Sequence, residues 1–203
     1  MKHLMKSAAL ALTLACASGA ACATILTSRL HVDDHFIAYI STSDSVAGTA
    51  FSSGSQWDKA ALGQTVLAEG QDYFLHILAR DAGAMAGMLG EFSLFDSTHQ
   101  FINGAQTLLT NAVDWKGNNT GFNGSYFELS DYGFNGIDPW YYREDTSTDA
   151  KWIWFGHNEW NDVTYFSTAI VATTDPAQVP EPGSLALIGV GLLGCAALGR
   201  RRA

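Results

Sequence analysis

The alternation of hydrophobic and polar positions predicts several strands and little helix in the middle of the chain. Between residues 36 and 41, Phe36, Ala38 and Ile40 alternate with Ile37, Tyr39 and Ser41, which is the two-residue period of a strand. Residues 73–80, 88–95 and 163–171 are rich in aliphatic, aromatic and β-branched side chains, and Gly-rich or Asn/Asp-rich connections separate them. Residues 57–67 are the one short stretch whose pattern favours a helix.

Several short strands separated by turn residues indicate an all-β domain, a β-sandwich, over residues 24–175. The three cysteines, Cys16, Cys22 and Cys195, all lie outside that range. The domain therefore has no disulfide, no cysteine metal site and no cysteine nucleophile. Its core and its β-ladders must supply the stability, which a domain of about 150 residues can do.

A series of motifs runs through this domain in a fixed order. It begins with an acidic pair at residues 33–34 and a Leu-x-x-Gly turn at residues 67–70. An Ala/Gly-rich stretch follows at residues 83–90, and two aromatic strands follow at residues 150–154 and 165–166. In type and order these motifs resemble the galactose-binding-like jelly rolls. The resemblance covers most of the domain and implies a jelly-roll-like sandwich. Ser41-Thr42-Ser43 stands where such modules often have Asn-Gly, so no ligand-contact residue is carried over.

Residues 1–23 have the composition of a signal peptide. Lys2 and Lys6 form a positive start, residues 7–17 form a short apolar run, and Ala21-Cys22-Ala23 is a small-x-small cleavage site. The apolar run is shorter than the about 20 residues that span a bilayer comfortably. We expect the Sec translocon to export the chain and a signal peptidase to cut between Ala23 and Thr24.

Residues 176–203 combine a short linker with a membrane-directed tail. Val179-Pro180-Glu181-Pro182 precedes the uncharged apolar stretch 183–199, and Arg200-Arg201-Arg202 follows it. The apolar stretch is at the low end of the length of a single transmembrane helix, and the arginines supply a cytoplasmic stop. The prolines mark the start of that helix and keep the preceding segment extended, as a processing enzyme requires.

This tail resembles the PEP-CTERM sorting signal, which exosortases of Gram-negative bacteria recognise. The matching residues are Pro180, Glu181, Pro182 and Arg200 to Arg202. The resemblance implies that the tail is recognised in the inner membrane and cut near the motif. The protein is then released or attached at the cell surface, often in species that make exopolysaccharide. The alternative is an ordinary single-pass membrane anchor that is never cut.

Charge and motif content narrow the function. Residues 24–180 hold six basic and nineteen acidic side chains, a net charge near −13, which disfavours nucleic-acid binding. The chain shows no G-x-S-x-G, no P-loop and no H-E-x-x-H. We therefore expect a non-enzymatic module with a structural, adhesive or glycan-interacting role, and exopolysaccharide as a candidate partner. The rival is a secreted enzyme acting on polysaccharide with two carboxylates about 5–10 Å apart, for which the candidates are Glu91, Glu128, Glu144 and Glu159.

Residues 114–138 are rich in Asn, Asp and Gly. Loops rich in oxygen ligands suit Ca²⁺, although the same residue types form ordinary turns. The candidate calcium ligands are Asp114, Asn118, Asp131 and Asp138, and no other cofactor is expected.

Asp33 and Asp34 are adjacent, so on a strand they would point to opposite faces. Their expected role is a turn cap, with a contribution to a calcium site as the alternative.

Aromatic residues cluster in and beside the same stretch. Because exposed rings stack on sugar faces, the candidate glycan contacts are Trp115, Trp140, Tyr141 and Tyr142. The alternative for these rings is core packing. Trp152 and Trp154 share one face of a predicted strand, and we expect them in the core.

Overall fold

The computed structural model describes residues 23–173, and all regular elements within that range are strands. The strands are β1 Ala23–Asp33, β2 His35–Ser41, β3 Thr49–Gly54, β4 Ala61–Ala68, β5 Tyr73–Arg80, β6 Gly87–Leu94, β7 His99–Phe101, β8 Thr107–Leu109, β9 Lys116–Asn118, β10 Ser130–Phe134, β11 Lys151–Trp154 and β12 Val163–Ala172. The described residues include no helix with the length and apolarity to cross a membrane. The signal peptide up to residue 22 and the tail from residue 174 lie outside the described residues, so these predictions are not tested by the structure.

The strands form two antiparallel sheets, which confirms the all-β, sandwich-like prediction. The first sheet has the order β10-β11-β6-β1-β4, with β8 also paired to β6. The second sheet has the order β3-β2-β5-β12-β7, with β9 also paired to β12. The jelly-roll family itself stays a prediction.

Strand β1 shows how alternation builds the core between the sheets. Leu26 and Leu30 face inward and are buried, whereas Thr27 and Arg29 face outward. Burying a side chain of this size contributes about 1.5–3 kcal/mol. The second sheet contributes to the same buried cluster the side chains of Leu75, Ile77, Phe166 and Ile170.

The predicted helix at residues 57–67 is wrong, because strand β4 occupies most of that stretch. Strand β4 pairs with β1 without a break from Ala23↔Ala68 to Leu30↔Ala61. A helix of that length is marginal in water on its own, and the pairing with β1 supplies a full ladder of hydrogen bonds instead. Leu62 and Val66 are exposed on this edge strand, which is why the segment lacks a clear strand pattern.

Trp152 and Trp154 are both buried, as predicted, but they pack in different clusters. The Trp154 ring meets Phe166 edge-on, with centroids 5.6 Å apart, in the core between the sheets. The Trp152 ring stacks on Trp140 at 4.5 Å in a second cluster that also includes Leu89. The segment that carries Trp140 therefore packs against the first sheet.

The first and last described residues lie at the same end of the sandwich. The Thr24 hydroxyl is buried and donates to Asp96 Oδ1 at 2.8 Å. The backbone N–H of Thr173 donates to the Thr98 carbonyl at 2.9 Å. Both ends of the domain are thus tied to the short segment 96–99.

Candidate functional site

A groove of about 480 Å³ crosses the outer face of the first sheet. Strand pairing builds it, because Thr27 of β1 lies between Gln64 of β4 and Ser93 of β6. One step along the same face, Arg29 lies beside Glu91 of β6. Residues two apart on a strand share a face, so three strands present their polar side chains to one surface.

The groove combines a polar floor with apolar rims. Its hydrogen-bonding groups are a guanidinium, an amide, a carboxylate and hydroxyls, carried by Arg29, Gln64, Glu91, Thr27 and Ser93. Leu62 and Phe95 line it as well, and they are 70% and 63% exposed. Such a surface can bond to hydroxyl groups while it packs against apolar patches of the same ligand.

The loop that follows β10 closes one side of this groove. The Asp145 carbonyl accepts a hydrogen bond from Arg29 Nη1 at 2.5 Å. The Asp145 carboxylate accepts one from His31 Nε2 at 2.9 Å. Burial acts to raise the pKa of Asp145, but the hydrogen bond and charge of His31 outweigh it and hold that pKa below its ordinary value. This carboxylate is therefore a fixed negative charge beside the groove.

Buried Asn135 holds the same loop in shape. Its Nδ2 donates to the carbonyls of Arg143 and Thr146, both at 2.9 Å, and its Oδ1 accepts from Arg143 N at 2.8 Å. The Arg143 guanidinium lies over the Trp57 ring, 4.8 Å from its centroid. Asn135 thus fixes the backbone of this loop, while Arg143 Nε and Nη2 are buried without a hydrogen-bond partner among the described residues.

The structure corrects two of the four predicted glycan contacts. Trp115 is fully buried and its ring lies 5.2 Å from that of Phe92, while Trp140 is 2% exposed. Neither ring reaches a ligand from the surface, because the core takes up both. Tyr141 and Tyr142 are 64% and 51% exposed, so they stay available. Tyr142 lines a hollow of about 460 Å³ that also touches His31 and Asp145, next to the groove.

The four predicted calcium ligands do not form one site, and turns and pairs account for them instead. Asp114 accepts from Asn111 Nδ2 at 2.8 Å, and Asn118 Oδ1 accepts from the N–H groups of Thr120 and Gly121. Asp131 forms an ion pair with Lys151 at 2.6 Å. Asp138 precedes Pro139 in the loop. Within residues 23–173, three carboxylates close enough to share an ion occur elsewhere, at Asp33, Asp34 and Asp81.

The prediction that Asp33 and Asp34 point to opposite faces is wrong. Their carboxylate oxygens and one of Asp81 all lie within 4.8 Å of one another, because the chain turns between β1 and β2 at this point. Asp34 Oδ2 accepts from the Ala82 N–H at 3.0 Å, and Asp33 Oδ2 accepts from Trp140 Nε1 at 3.0 Å. The Asp34 bond fits the predicted turn-capping role, whereas Asp33 ties strand β1 to the side chain of Trp140.

Burial and neighbouring carboxylates raise the pKa of two of these acids, Asp33 and Asp81. Burial, together with the hydrogen bond and charge of Asp34, raises the pKa of Asp33 to about 7. Burial also raises the pKa of Asp81, whose Oδ1 is buried without a hydrogen-bond partner among the described residues. The cluster therefore stores unfavourable charge above neutral pH.

We predict that this cluster makes the domain less stable as the pH rises. A carboxyl whose folded pKa exceeds its unfolded value of 3.8 stabilises the fold fully below about pH 4, and that contribution is lost as the pH rises through about 7. The stability of the variant Asp33→Asn relative to the wild type should therefore rise between pH 5 and pH 8, because the amide does not ionise. Urea unfolding at both pH values measures the difference. The exposed control Asp149→Asn should show no such change, and equal pH profiles for wild type and Asp33→Asn would contradict the prediction.

The four glutamates of the enzyme hypothesis lie in four different places. Glu91 lines the groove, Glu144 lines the neighbouring hollow and Glu128 lines a third hollow with Val113 and Phe127. Glu159 lies in the loop before β12. The groove itself has Glu91 as its single carboxylate lining residue.

Comparison with known protein families identifies the type of the C-terminal tail. Residues 178–202 match the PEP-CTERM protein-sorting motif, which confirms the sequence interpretation of Val179 to Pro182 and Arg200 to Arg202. The chain is therefore an exported protein that passes through the membrane on its way to the cell surface. The enzyme that the motif implies for its sorting is an exosortase. Neither the curated proteins nor the solved structures gave a match to the chain.

Proposed function

We propose that the exported domain is a non-catalytic module that binds glycan chains at the cell surface. The observation that carries this proposal is the groove on the first sheet, with its polar floor beside the exposed Leu62 and Phe95. Sugar rings offer hydroxyl groups at their edges and apolar C–H faces, and the groove offers a partner for each. The proposed ligand is the exopolysaccharide of the producing cell.

The shape and charge of the groove support binding without hydrolysis. A glycosidase needs two carboxylates on either side of the scissile bond, and the groove has one, Glu91. An open groove also admits the middle of a long polymer, which a closed pocket does not. A structural or adhesive role follows when many copies of the domain bind one polymer, because avidity multiplies a modest affinity.

Two exposed side chains give the sharpest test of this proposal. We predict that Gln64→Ala and Phe95→Ala each weaken binding of the purified exopolysaccharide about fivefold to tenfold, which corresponds to about 1–1.4 kcal/mol for one lost hydrogen bond or packing contact. Isothermal titration calorimetry on the variants measures the change. Val113→Ala, exposed and outside the groove, is the matched control and should bind as the wild type does. Binding unchanged by both groove variants would contradict the proposal.

Tyr141 and Tyr142 define the second candidate surface for the same function. The double variant Tyr141→Ala/Tyr142→Ala tests it in the same titration, and a loss of binding seen there alone would assign the site to the hollow beside the groove.

The enzyme alternative has its own readout. We expect no new reducing ends when the polysaccharide is incubated with the protein, and release that disappears in Glu91→Gln would overturn the non-catalytic proposal.

A further inference from the structure

Strand β4 leaves one edge of the first sheet unpaired. It is the last strand in the order of that sheet and pairs with β1 on one side. An unpaired edge presents N–H and C=O groups that another strand can bind, and natural sheets usually protect it with charges, prolines or bulges. The eight residues of β4, ALGQTVLA, contain no charge and no proline, and their pairing with β1 has no bulge. This edge therefore has none of the usual protection.

The other sheet edges differ from β4. Strand β10 has an irregular register with β11, and its Asp131 forms an ion pair with Lys151. Strand β3 pairs with β2 across a register shift, and β7 has three residues. Among the strands of residues 23–173, β4 is thus the edge that is long, regular and uncharged.

The backbone groups of Leu62, Gln64 and Val66 point away from β1. The Ile25 carbonyl accepts from the Phe95 N–H at 3.0 Å, on the far side of β1, so Ile25 does not bond to Val66, its partner in β4. Hydrogen-bonded and non-hydrogen-bonded positions alternate along an antiparallel pair, which gives Leu62 and Gln64 the same direction as Val66. A hollow of about 530 Å³ lies next to Val66 and leaves space beside this edge.

We propose that β4 pairs with β4 of a second copy of this chain, antiparallel, about a two-fold axis at Gln64. In this register Leu62 of each copy lies opposite Val66 of the other. The two side chains are 70% and 62% exposed in the single chain, and aliphatic pairs across strands stabilise a sheet. The edge is therefore self-complementary, as a two-fold interface requires.

The same register brings opposite charges together at both ends of the paired strands. Lys59 and Glu69 lie just outside β4 and equally far from Gln64 along the chain. Lys59 of each copy therefore faces Glu69 of the other. The domain as a whole has a net charge near −13, so its copies repel one another over most of their surface, whereas this edge is uncharged and has complementary ends. The pairing does not depend on whether the groove binds a glycan.

Reversing the two charges tests this register directly. The full chain is purified in mild detergent from cells that lack the exosortase, and sedimentation equilibrium over a dilution series at low ionic strength measures the dimer dissociation constant. We expect Lys59→Glu and Glu69→Lys each to weaken dimerisation about tenfold, because each changes two attractive pairs into repulsive ones. The double variant Lys59→Glu/Glu69→Lys restores both pairs and should dimerise as the wild type does.

A proline at Val66 tests the hydrogen bonds of the edge. Because the Val66 N–H points away from β1, Val66→Pro removes no bond within the sheet and should weaken dimerisation about tenfold or more. Val66→Thr keeps the N–H and the branched shape and is the matched control. Circular dichroism checks that both variants fold. A monomeric wild type, a dimer that Val66→Pro leaves unchanged, or a double charge variant that is no tighter than the single ones would each overturn the proposal.

Discussion

Replacing Trp154 by alanine is expected to lower the free energy of unfolding of the domain by about 3–5 kcal/mol. Its ring is fully buried and meets Phe166 of the opposite sheet. Its Nε1 donates to the Asn161 carbonyl at 2.6 Å, so truncation also removes the hydrogen bond of a partly buried acceptor. The domain has no disulfide to compensate, and a loss of this size is a large part of the stability of an ordinary domain.

Urea unfolding followed by far-ultraviolet circular dichroism measures this loss. Trp160→Ala is the matched control, because it removes the same side chain from an exposed position, and its effect should stay within about 0.5 kcal/mol. Equal unfolding midpoints for the two variants would contradict the assignment of Trp154 to the core. A chain that fails to accumulate when Trp154 is alanine, while Trp160→Ala accumulates normally, would agree with the prediction.

Replacing Pro180, Glu181 and Pro182 together by alanine is expected to abolish processing of the tail. The sequence predicts that the two prolines keep the segment before the apolar stretch extended. Alanine is the strongest helix former and would favour a helix through the cutting region. The variant should therefore accumulate in the inner membrane at its uncut mass. Immunoblots of membrane, surface and medium fractions follow the distribution.

A substitution just outside the matched residues controls for effects on export. Ala177→Ser leaves residues 178–202 intact and should be processed and distributed as the wild type is. Normal processing of the triple-alanine variant would show that the tail is not read through its Pro-Glu-Pro sequence. A wild-type chain that itself stays uncut in the membrane fraction would instead favour the simple anchor that the sequence left as an alternative.

Local alternation predicted the central strands well, and the exceptions have physical reasons. Residues 36–41 and 73–80 lie in β2 and β5. Buried positions alternate along most of β2, whereas Leu75, His76 and Ile77 of β5 are buried in succession. The helix prediction for residues 57–67 was wrong because β4 is an edge strand with exposed Leu62 and Val66. Its identity is decided by pairing with β1, which is distant in sequence and invisible to a local pattern.

The candidate site was less predictable than the fold. Glu91 was named from sequence only as a carboxylate, whereas Arg29 and Gln64 gave no signal of their own. Their common face depends on the register of three strands, and a shift of one residue would turn them to the other side.

The predictions of ligand contacts failed where the position of a residue in the fold, and not its residue type, decides its role. Tryptophan is a residue type typical of glycan-binding surfaces, but Trp115 and Trp140 are buried and their rings pack in the core. Asp33 and Asp34 would diverge on a straight strand, but a turn brings them together with Asp81. Burial and chain reversal are long-range consequences of the fold, so neither was readable from neighbouring residues.

The central claim is that this chain is exported and then sorted through its C-terminal tail, and the mass of the mature protein tests it most directly. We predict that mass spectrometry of the protein recovered from the cell surface or the medium gives a chain that begins at Thr24, ends near Pro182 and lacks Arg200 to Arg202. A mature chain that still ends in Arg200-Arg201-Arg202-Ala203 would contradict sorting by cleavage and leave a permanent membrane anchor.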